Sequence, residues 1–556
     1  MKTFLILIVS LLSTSLFAQK QKSINITVDV SQKGDSMLPL WAFFGYDEPN
    51  YTYMKDGRKL LSEIASFSPI PVYVRTHNLL TTGDGEPALK WGSNNAYTED
   101  SSGNPVYNWR LTDSIFQTYL DRGMKPIAEI GFMPEALSSH PQPYRHHWKP
   151  GDNYNDIYTG WAYPPTDYTK WGELVYQWVK HCVDKWGERE VNSWYWEVWN
   201  EPNIGYWKGT FDEYCKLYDY AADAVKRAAP GTRIGGPTST GPNWDKAEDF
   251  LRRFLQHCAG ETNYATGKKG APLDYITFHA KGSPKVVGGH VQMNMSPQLN
   301  DIIKGCKVVT ASPFKSLPIM LGECDPEGCA ACGMSTNPEN AYRNGTMYAS
   351  YTAASFARIY EIRKQTGANL IGAVSWSFEF EDQPPFFGFR DLATNGINKP
   401  VLNVFRMYGM MKGHFVKTTN DAQIPYDTIV AHSVRGGNRD IGSLAAADDS
   451  TVSLMLWNYA DDDVPAAPQP VTISFSGLPG KNYTATLYRV DSTHSNAYTA
   501  WKDMGSPGVI NDGQYMVLQA ASRLKGEEMA KGKSKNEMKI LLPAQGVYLV
   551  RLVRRK

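Results

Sequence analysis

From about residue 41 to residue 410, short apolar runs rich in β-branched and aromatic residues alternate with longer amphipathic stretches, the pattern of repeated β/α units. Eight runs stand out: WAFFGYD from Trp41, PVYVRTH from Pro71, KPIAEIGF from Lys125, WYWEVWN from Trp194, TRIGGPT from Thr232, DYITFHA from Asp274, PIMLGE from Pro318 and IGAVSWSF from Ile371. Eight parallel strands close a barrel. Between the third and fourth runs, Trp171, Leu174, Val175, Trp178, Val179, Cys182, Val183 and Trp186 fall on one helical face. A second helix follows the fourth run, carrying Tyr214, Leu217, Tyr218, Ala221, Ala222 and Val225 on one side before Pro230 and Gly231 end it.

The texture changes after about residue 411. Alternating runs such as TVSLMLWNY from Thr451, VTISFSGL from Val471, YTATLYRV from Tyr483 and VYLVRLV from Val547 are separated by Pro, Gly and Asp, which predicts an all-β sandwich. The predicted fold class is therefore α/β, a (β/α)8 TIM barrel over 41–410 with an accessory all-β sandwich domain over 411–556. INITVDV, within 19–40, is expected to add a strand to the sandwich. Lys525 to Lys539 reads as a solvated charged loop.

The first 18 residues have a charged start at Lys2, an apolar stretch from Phe4 to Phe17 and Ala18 before Gln19, the layout of a cleavable signal peptide. A secreted or periplasmic enzyme is expected, with no stable membrane insertion, because the apolar run falls short of the roughly 20 residues a span needs. The 57 Lys and Arg against 56 Asp and Glu leave a formal charge of +1, which argues against nucleic acid as a partner. Nothing in the chain indicates a protein partner. The 16 Trp, 32 Tyr and 21 Phe suit a ligand with apolar faces and hydroxyl edges. Seven Cys are too few for a disulfide scaffold, and among Cys324, Cys329 and Cys332 a loop-pinning disulfide is expected rather than an iron–sulfur ligand set.

In a parallel barrel the chemistry sits where strands end. The fourth run ends Trp199-Asn200-Glu201-Pro202 and the seventh ends Leu321-Gly322-Glu323. Two carboxylates at one barrel mouth are what retaining glycoside hydrolysis requires, one as proton donor and one as nucleophile. The proton donor of such a pair needs a raised pKa, from apolar walls and the charge of its partner, while the nucleophile needs donors that keep it ionised. His279, ending the sixth run, is a candidate to orient the pair. No H-E-x-x-H or comparable metal spacing occurs, so neither a metal nor a cofactor is expected.

WNEP, placed at the end of a fourth strand, resembles the clan of (β/α)8 retaining glycosidases whose acid/base Glu follows Asn there, and within it glycoside hydrolase family 39. VRTHNLL from Val74, EIGFMPEAL from Glu129, LDYITFHAKG from Leu273 and GECDPEG from Gly322 extend the resemblance over nearly the whole barrel. It implies Glu201 as acid/base, Glu323 as nucleophile and Asn200 as a hydrogen-bond partner of the sugar 2-hydroxyl, so that Glu201 is expected to have a pKa raised by Trp199 and the charge of Glu323 while Glu323 stays ionised. It further implies Arg75, His77 and Lys281 as substrate contacts, Lys281 looking like the carboxylate-contacting lysine of the iduronidase-like branch rather than the Tyr of the xylosidase branch. Asp382 and Arg390, after the eighth run, complete the candidate set. The expected function is exo-hydrolysis of a terminal sugar from an oligosaccharide or polysaccharide side chain by double displacement. The alternative is a catalytically inactive carbohydrate-binding protein on the same barrel.

Overall fold

The computed structural model describes residues 22–148, 152–329, 332–480, 482–529 and 537–555. The expected signal peptide lies outside these residues. Eight parallel strands form a closed barrel: β1 (Phe43–Tyr46), β2 (Tyr73–Thr76), β3 (Lys125–Ile130), β4 (Tyr195–Val198), β5 (Arg233–Ser239), β6 (Tyr275–Lys281), β7 (Ile319–Asp325) and β8 (Leu370–Trp376). Each begins within a few residues of one of the eight apolar runs. They close in chain order, with Val374 of β8 opposite Phe43 of β1. Phe43, Ile127, Tyr195, Tyr275, Met320, Val374 and Trp376 fill the interior as one apolar cluster, so the barrel is a packed core with its chemistry at the rim.

One long helix follows each strand: α1 (Lys55–Phe67), α2 (Arg110–Leu120), α3 (Tyr168–Trp186), α4 (Phe211–Ala228), α5 (Asp245–Gly260), α6 (Ser296–Thr310), α7 (Thr346–Thr366) and α8 (Pro400–Met410). The Asp167 side chain caps α3 by accepting from the Thr169 and Lys170 amides, and Gly187 ends it at φ 86°. Thr210 and Glu213 form a reciprocal capping box at the start of α4. The faces anticipated from periodicity are the buried ones, although Val183 and Trp186 stay partly exposed because they lie on the last turn of α3.

The remaining strands make one nine-stranded sheet among the described residues. Besides the N-terminal strand Ile24–Ser36 it holds β9 (His414–Asn420), β10 (Asp440–Ala447), β11 (Thr451–Tyr459), β12 (Gln469–Ser476), β13 (Tyr483–Val490), β14 (Gly526–Glu528), β15 (Glu537–Leu542) and β16 (Val547–Arg554). The N-terminal strand pairs antiparallel with β9, Thr27 opposite Thr419, and parallel with β12, Ile26 opposite Ile473. The sheet curls so that Ile26, Val28, Val416, Leu454, Ile473, Val550 and Leu552 share one core. The C-terminal part is not purely β: helices Ala497–Asp503 and Asp512–Ser522 lie between β13 and β14. The ends of the charged stretch from Lys525 form the two edge strands, β14 and β15, and 530–536 lie outside the described residues.

The opposite face of the sheet packs on the barrel. Met455, Trp457, Tyr459, Val547 and Leu549 belong to the same apolar cluster as the barrel helices. Helix α7 lies in this seam and is buried over most of its surface, with Tyr348, Phe356 and Ile359 all inside. Among the described residues no helix is long and apolar enough to cross a membrane.

Candidate active site

Strand β4 is short, and the chain turns sharply after it. Trp199 and Glu201 adopt φ of 73° and 44°, left-handed conformations that non-glycine residues hold only when their surroundings impose them. The Trp199 indole donates to the Tyr206 carbonyl (2.9 Å) and the Glu201 amide donates to the Thr238 carbonyl (2.9 Å), which fixes the turn from both sides. The Glu201 side chain is thereby aimed across the mouth at Glu323, near the end of β7. His279 and Lys281 reach the same point from the end of β6.

The groups converge tightly. Ligand atoms of Glu201, His279 and Glu323 all lie within 4.8 Å of one another. His279 Nδ1 is 2.8 Å from Glu201 Oε1. Lys281 Nζ is 2.5 Å from Glu323 Oε2 and 3.9 Å from Glu201 Oε1, spanning the pair. On the other side of Glu323, Arg75 Nη1 stands 3.3 Å and His77 Nε2 3.4 Å from Oε1. Asp47, His77 and Glu323 also come within 4.8 Å of one another. Both triads have metal-ligand spacing, yet the Lys281 ammonium and the Arg75 guanidinium already take the cation positions around Glu323.

Arg75 ties the floor together. Fully buried, it contacts Glu197, Glu129 (2.8 Å) and Glu323 (3.3 Å), and donates to Asn200 Oδ1 (3.1 Å). Burial would lower its pKa, but the charges of Glu197, Glu129 and Glu323 raise it instead. His77, likewise buried, is pushed up to about 9 because Glu129 (2.5 Å) and Glu323 outweigh the effect of burial. His279 goes the other way: burial holds it below the ordinary histidine value, although Glu323 and the Glu201 contact at its Nδ1 pull upward.

Burial opposes ionisation of Glu323, but Lys281, His279, a hydrogen bond from His77 and Arg390 overcome it and hold the carboxyl well below the ordinary range. This is the environment expected of an ionised nucleophile. Glu201 departs from the sequence expectation. Burial and the charge of Glu323 raise its pKa, yet Lys281 and the His279 hydrogen bond lower it by more, and the balance falls below the ordinary glutamate value. The contribution that reverses the sign comes from a lysine lying between the two carboxylates, which no local motif announces.

A cavity of about 340 Å³ opens over these groups, lined by Glu201, Tyr206 and Asp301 on one side and by Asp47, Lys90 and Arg390 on the other, with His279, Lys281 and Glu323 between. Of the sequence candidates, Glu201, Glu323, His279, Lys281 and Arg390 line it, while Arg75 and His77 contact Glu323 and Asn200 contacts Arg75 without lining the cavity. Arg390 Nη1 donates to the Gly328 carbonyl (3.0 Å) and lies 3.4 Å from Asp325. Asp382 is not brought in: it is solvent-exposed at φ 63°, on the loop after β8. Sequence reasoning passed over Asp47, Lys90 and Asp301. Asp47 follows β1 and was reachable by the strand-end rule; Lys90 and Asp301 come from a long loop and from α6, where no such rule applies. Cys329 and Cys332 are joined in a disulfide on the loop after β7, and Cys324 is a buried thiol accepting from Gln298 Nε2 at 3.2 Å.

A closed (β/α)8 barrel with two facing carboxylates at its mouth is the layout of a glycoside hydrolase. The chain matches the profile of glycosyl hydrolases family 39 over residues 24–535 and belongs to that family, whose substrates are carbohydrates. A β-xylosidase of Geobacillus stearothermophilus is 28% identical over 478 residues, 81% of this chain and 79% of that one. An α-L-iduronidase of Mus musculus is 25% identical over 366 residues, 61% of this chain and 54% of that one. The crystal structure of a monomeric β-xylosidase from Caulobacter crescentus CB15 shares the fold, with a TM-score of 0.71, 23% identity, and 96% of this chain and 100% of that chain covered.

Proposed function

We propose that the protein is an exported, retaining exo-glycosidase that removes a terminal sugar by double displacement. The observation that carries this reading is that a Glu201 oxygen comes within 4.8 Å of a Glu323 oxygen, a close approach that favours the retaining arrangement, with carboxyl groups roughly 5–5.5 Å apart, over the wider inverting one. In the first step a Glu323 oxygen attacks the anomeric carbon, the glycosidic C–O bond breaks, and Glu201 gives its proton to the departing oxygen. In the second step Glu201 takes a proton from water as the water oxygen attacks the same carbon and releases Glu323. Asn200, held by Arg75, is positioned for the sugar 2-hydroxyl.

A small cavity walled on both sides supports removal of one terminal residue. The cationic side chains Lys281, Arg390 and Lys90 in its lining support a glycone that carries a carboxylate or presents several hydroxyls. Hydrolysis of a panel of aryl β-D-xylosides, α-L-iduronides and α-L-arabinosides, with NMR of the first-formed anomer, tests the reading. Retention on at least one member is expected; an inverted first product removes Glu323 from the nucleophile role. Export is tested by finding the protein outside the cytoplasm with its terminus beginning at Gln19.

A further inference from the structure

One carboxyl in the cavity lining has no part in the double displacement. Asp301 lies on the second turn of α6, and its partly buried side chain reaches the same wall as Glu201. Its Oδ1 accepts from the Asn243 amide at 3.0 Å. A side chain on Gly241 would run into the Asp301 carboxyl, so glycine is what lets the carboxyl settle against the loop after β5. Burial pushes this carboxyl up to about 7, against the backbone amides of Asn243 and Lys281. Among the described residues no lysine, arginine or histidine pairs with it. Keeping a carboxyl out of water without a cation is costly, so stability is a poor reason for its presence. A carboxylate has about four acceptor positions, and two amides leave part of that capacity unused.

The wall it belongs to is that of the proton donor. Asn203, two residues after Glu201, accepts from the Thr240 amide at 3.0 Å and donates to Thr240 Oγ1 at 2.6 Å. The Glu201 amide donates to the Thr238 carbonyl (2.9 Å). The loops after β4 and β5 are thereby bound together, and Asp301 supports the second of them through Asn243. In the double displacement proposed above, the Glu201 proton goes to the oxygen that carries the leaving residue. The leaving residue therefore lies against this wall, over Thr240, Gly241 and Asp301, while Asp47, Lys90 and Arg390 line the other side.

Resting on the glycosidase reading, we propose that Asp301 determines specificity for the leaving group, accepting a hydrogen bond from a hydroxyl of a sugar on the aglycone side. The bond the enzyme is built to cleave then joins two sugars. A leaving residue without a hydroxyl at that point forfeits the contact.

The test uses the full-length enzyme and the glycone of the panel member that wild type cleaves best, 1,4-linked to D-xylose, together with the 2-deoxy and 3-deoxy forms of that leaving xylose. Wild type is expected to lose about 10-fold or more in kcat/KM when the hydroxyl facing Asp301 is removed, the effect of one hydrogen bond to a charged group. Asp301→Ala is expected to lose a similar factor on the parent disaccharide but less than about threefold further on that deoxy form. Neither a merely structural role nor a change in the acidity of Glu201 produces such non-additivity. Losses that multiply at both deoxy positions overturn the assignment. If Asp301→Ala does not fold, Asp301→Asn, of equal size, is read in the same way. If neither folds, the wild-type series decides: a loss of about 10-fold at one position upholds the site, and rates within about threefold at both overturn it. Retaining cleavage of aryl glycosides without cleavage of the disaccharide also overturns it. Absence of all cleavage or an inverted first product overturns the underlying reading instead.

Discussion

At the scale of single residues, the site turns on where Lys281 places its charge. Its ammonium bonds Glu323 and lies near Glu201, and after the opposing effect of burial it is the leading cause that lowers both carboxyls. On the proposed double displacement, turnover needs Glu323 ionised and Glu201 protonated, so kcat/KM is expected to rise with pH through the Glu323 pKa and to fall with pH through the Glu201 pKa. Both limbs are therefore expected on the acid side of ordinary carboxylate behaviour. Replacing Lys281 by Met takes away a positive charge that favours both ionised forms, so both pKa values rise and the whole window moves to higher pH. A pH profile of the variant on a substrate with a poor leaving group checks this, and a shift towards lower pH would rule out the geometry. The meeting of Glu201 and Glu323 at one mouth was legible because each ends a strand run, Glu201 in WNEP and Glu323 in GECDPEG. The direction of the Glu201 shift was not, since it depends on a side chain 80 positions away in the chain, brought near only by closure of the barrel. Asp382 shows the converse: a plausible residue type after β8, carried to the surface by the path of its loop.

At the scale of elements, legibility followed burial. The barrel strands were readable because they are enclosed on both faces and so appear as continuous apolar runs bounded by polar residues. The N-terminal strand was readable from its alternation, and Ile26, Val28 and Val30 do face the sheet core. Helix α7 offered no such signal: with apolar neighbours on nearly all sides, its sequence shows no polar face from which a period could be recognised. The two short C-terminal helices were hidden because seven and eleven residues give too few turns to stand out from strand-like surroundings. The N-terminal strand bridges β9 and β12, so it joins two segments that do not otherwise pair. Ile26 is fully buried between them. Ile26→Ala is expected to destabilise the fold by about 2–5 kcal/mol through lost burial and a residual cavity, with kcat on the best aryl glycoside unchanged at 25 °C. Denaturant unfolding followed beside the activity assay separates the two effects.

At the scale of the molecule, the sheet and the barrel share a single apolar interior. Every residue of β11 is buried, which happens only when both faces of a strand are covered. One face meets the sheet core, and the other meets α7. A buried ion pair crosses that seam: Arg358 of α7 contacts both oxygens of Asp440 at 3.1 and 3.0 Å, and the Trp457 indole donates to the same carboxylate at 2.8 Å. Ser350 of α7 also donates to Gln545 at 2.7 Å, from the turn before β16. With the seam apolar and the buried Asp440 carboxylate bound across it by Arg358, neither part retains a solvated surface there if the other unfolds, so barrel and sheet are expected to melt in one transition. Arg358→Met leaves Asp440 buried without its cation, a loss of about 3–5 kcal/mol. Because the lost contact belongs to both parts, the variant should lower the temperature at which activity disappears and the temperature at which the sheet unfolds by the same amount. Differential scanning calorimetry of the full chain, compared with thermal inactivation, measures both. A sheet transition that moves while the barrel transition stays in place would mean that the two parts are energetically independent.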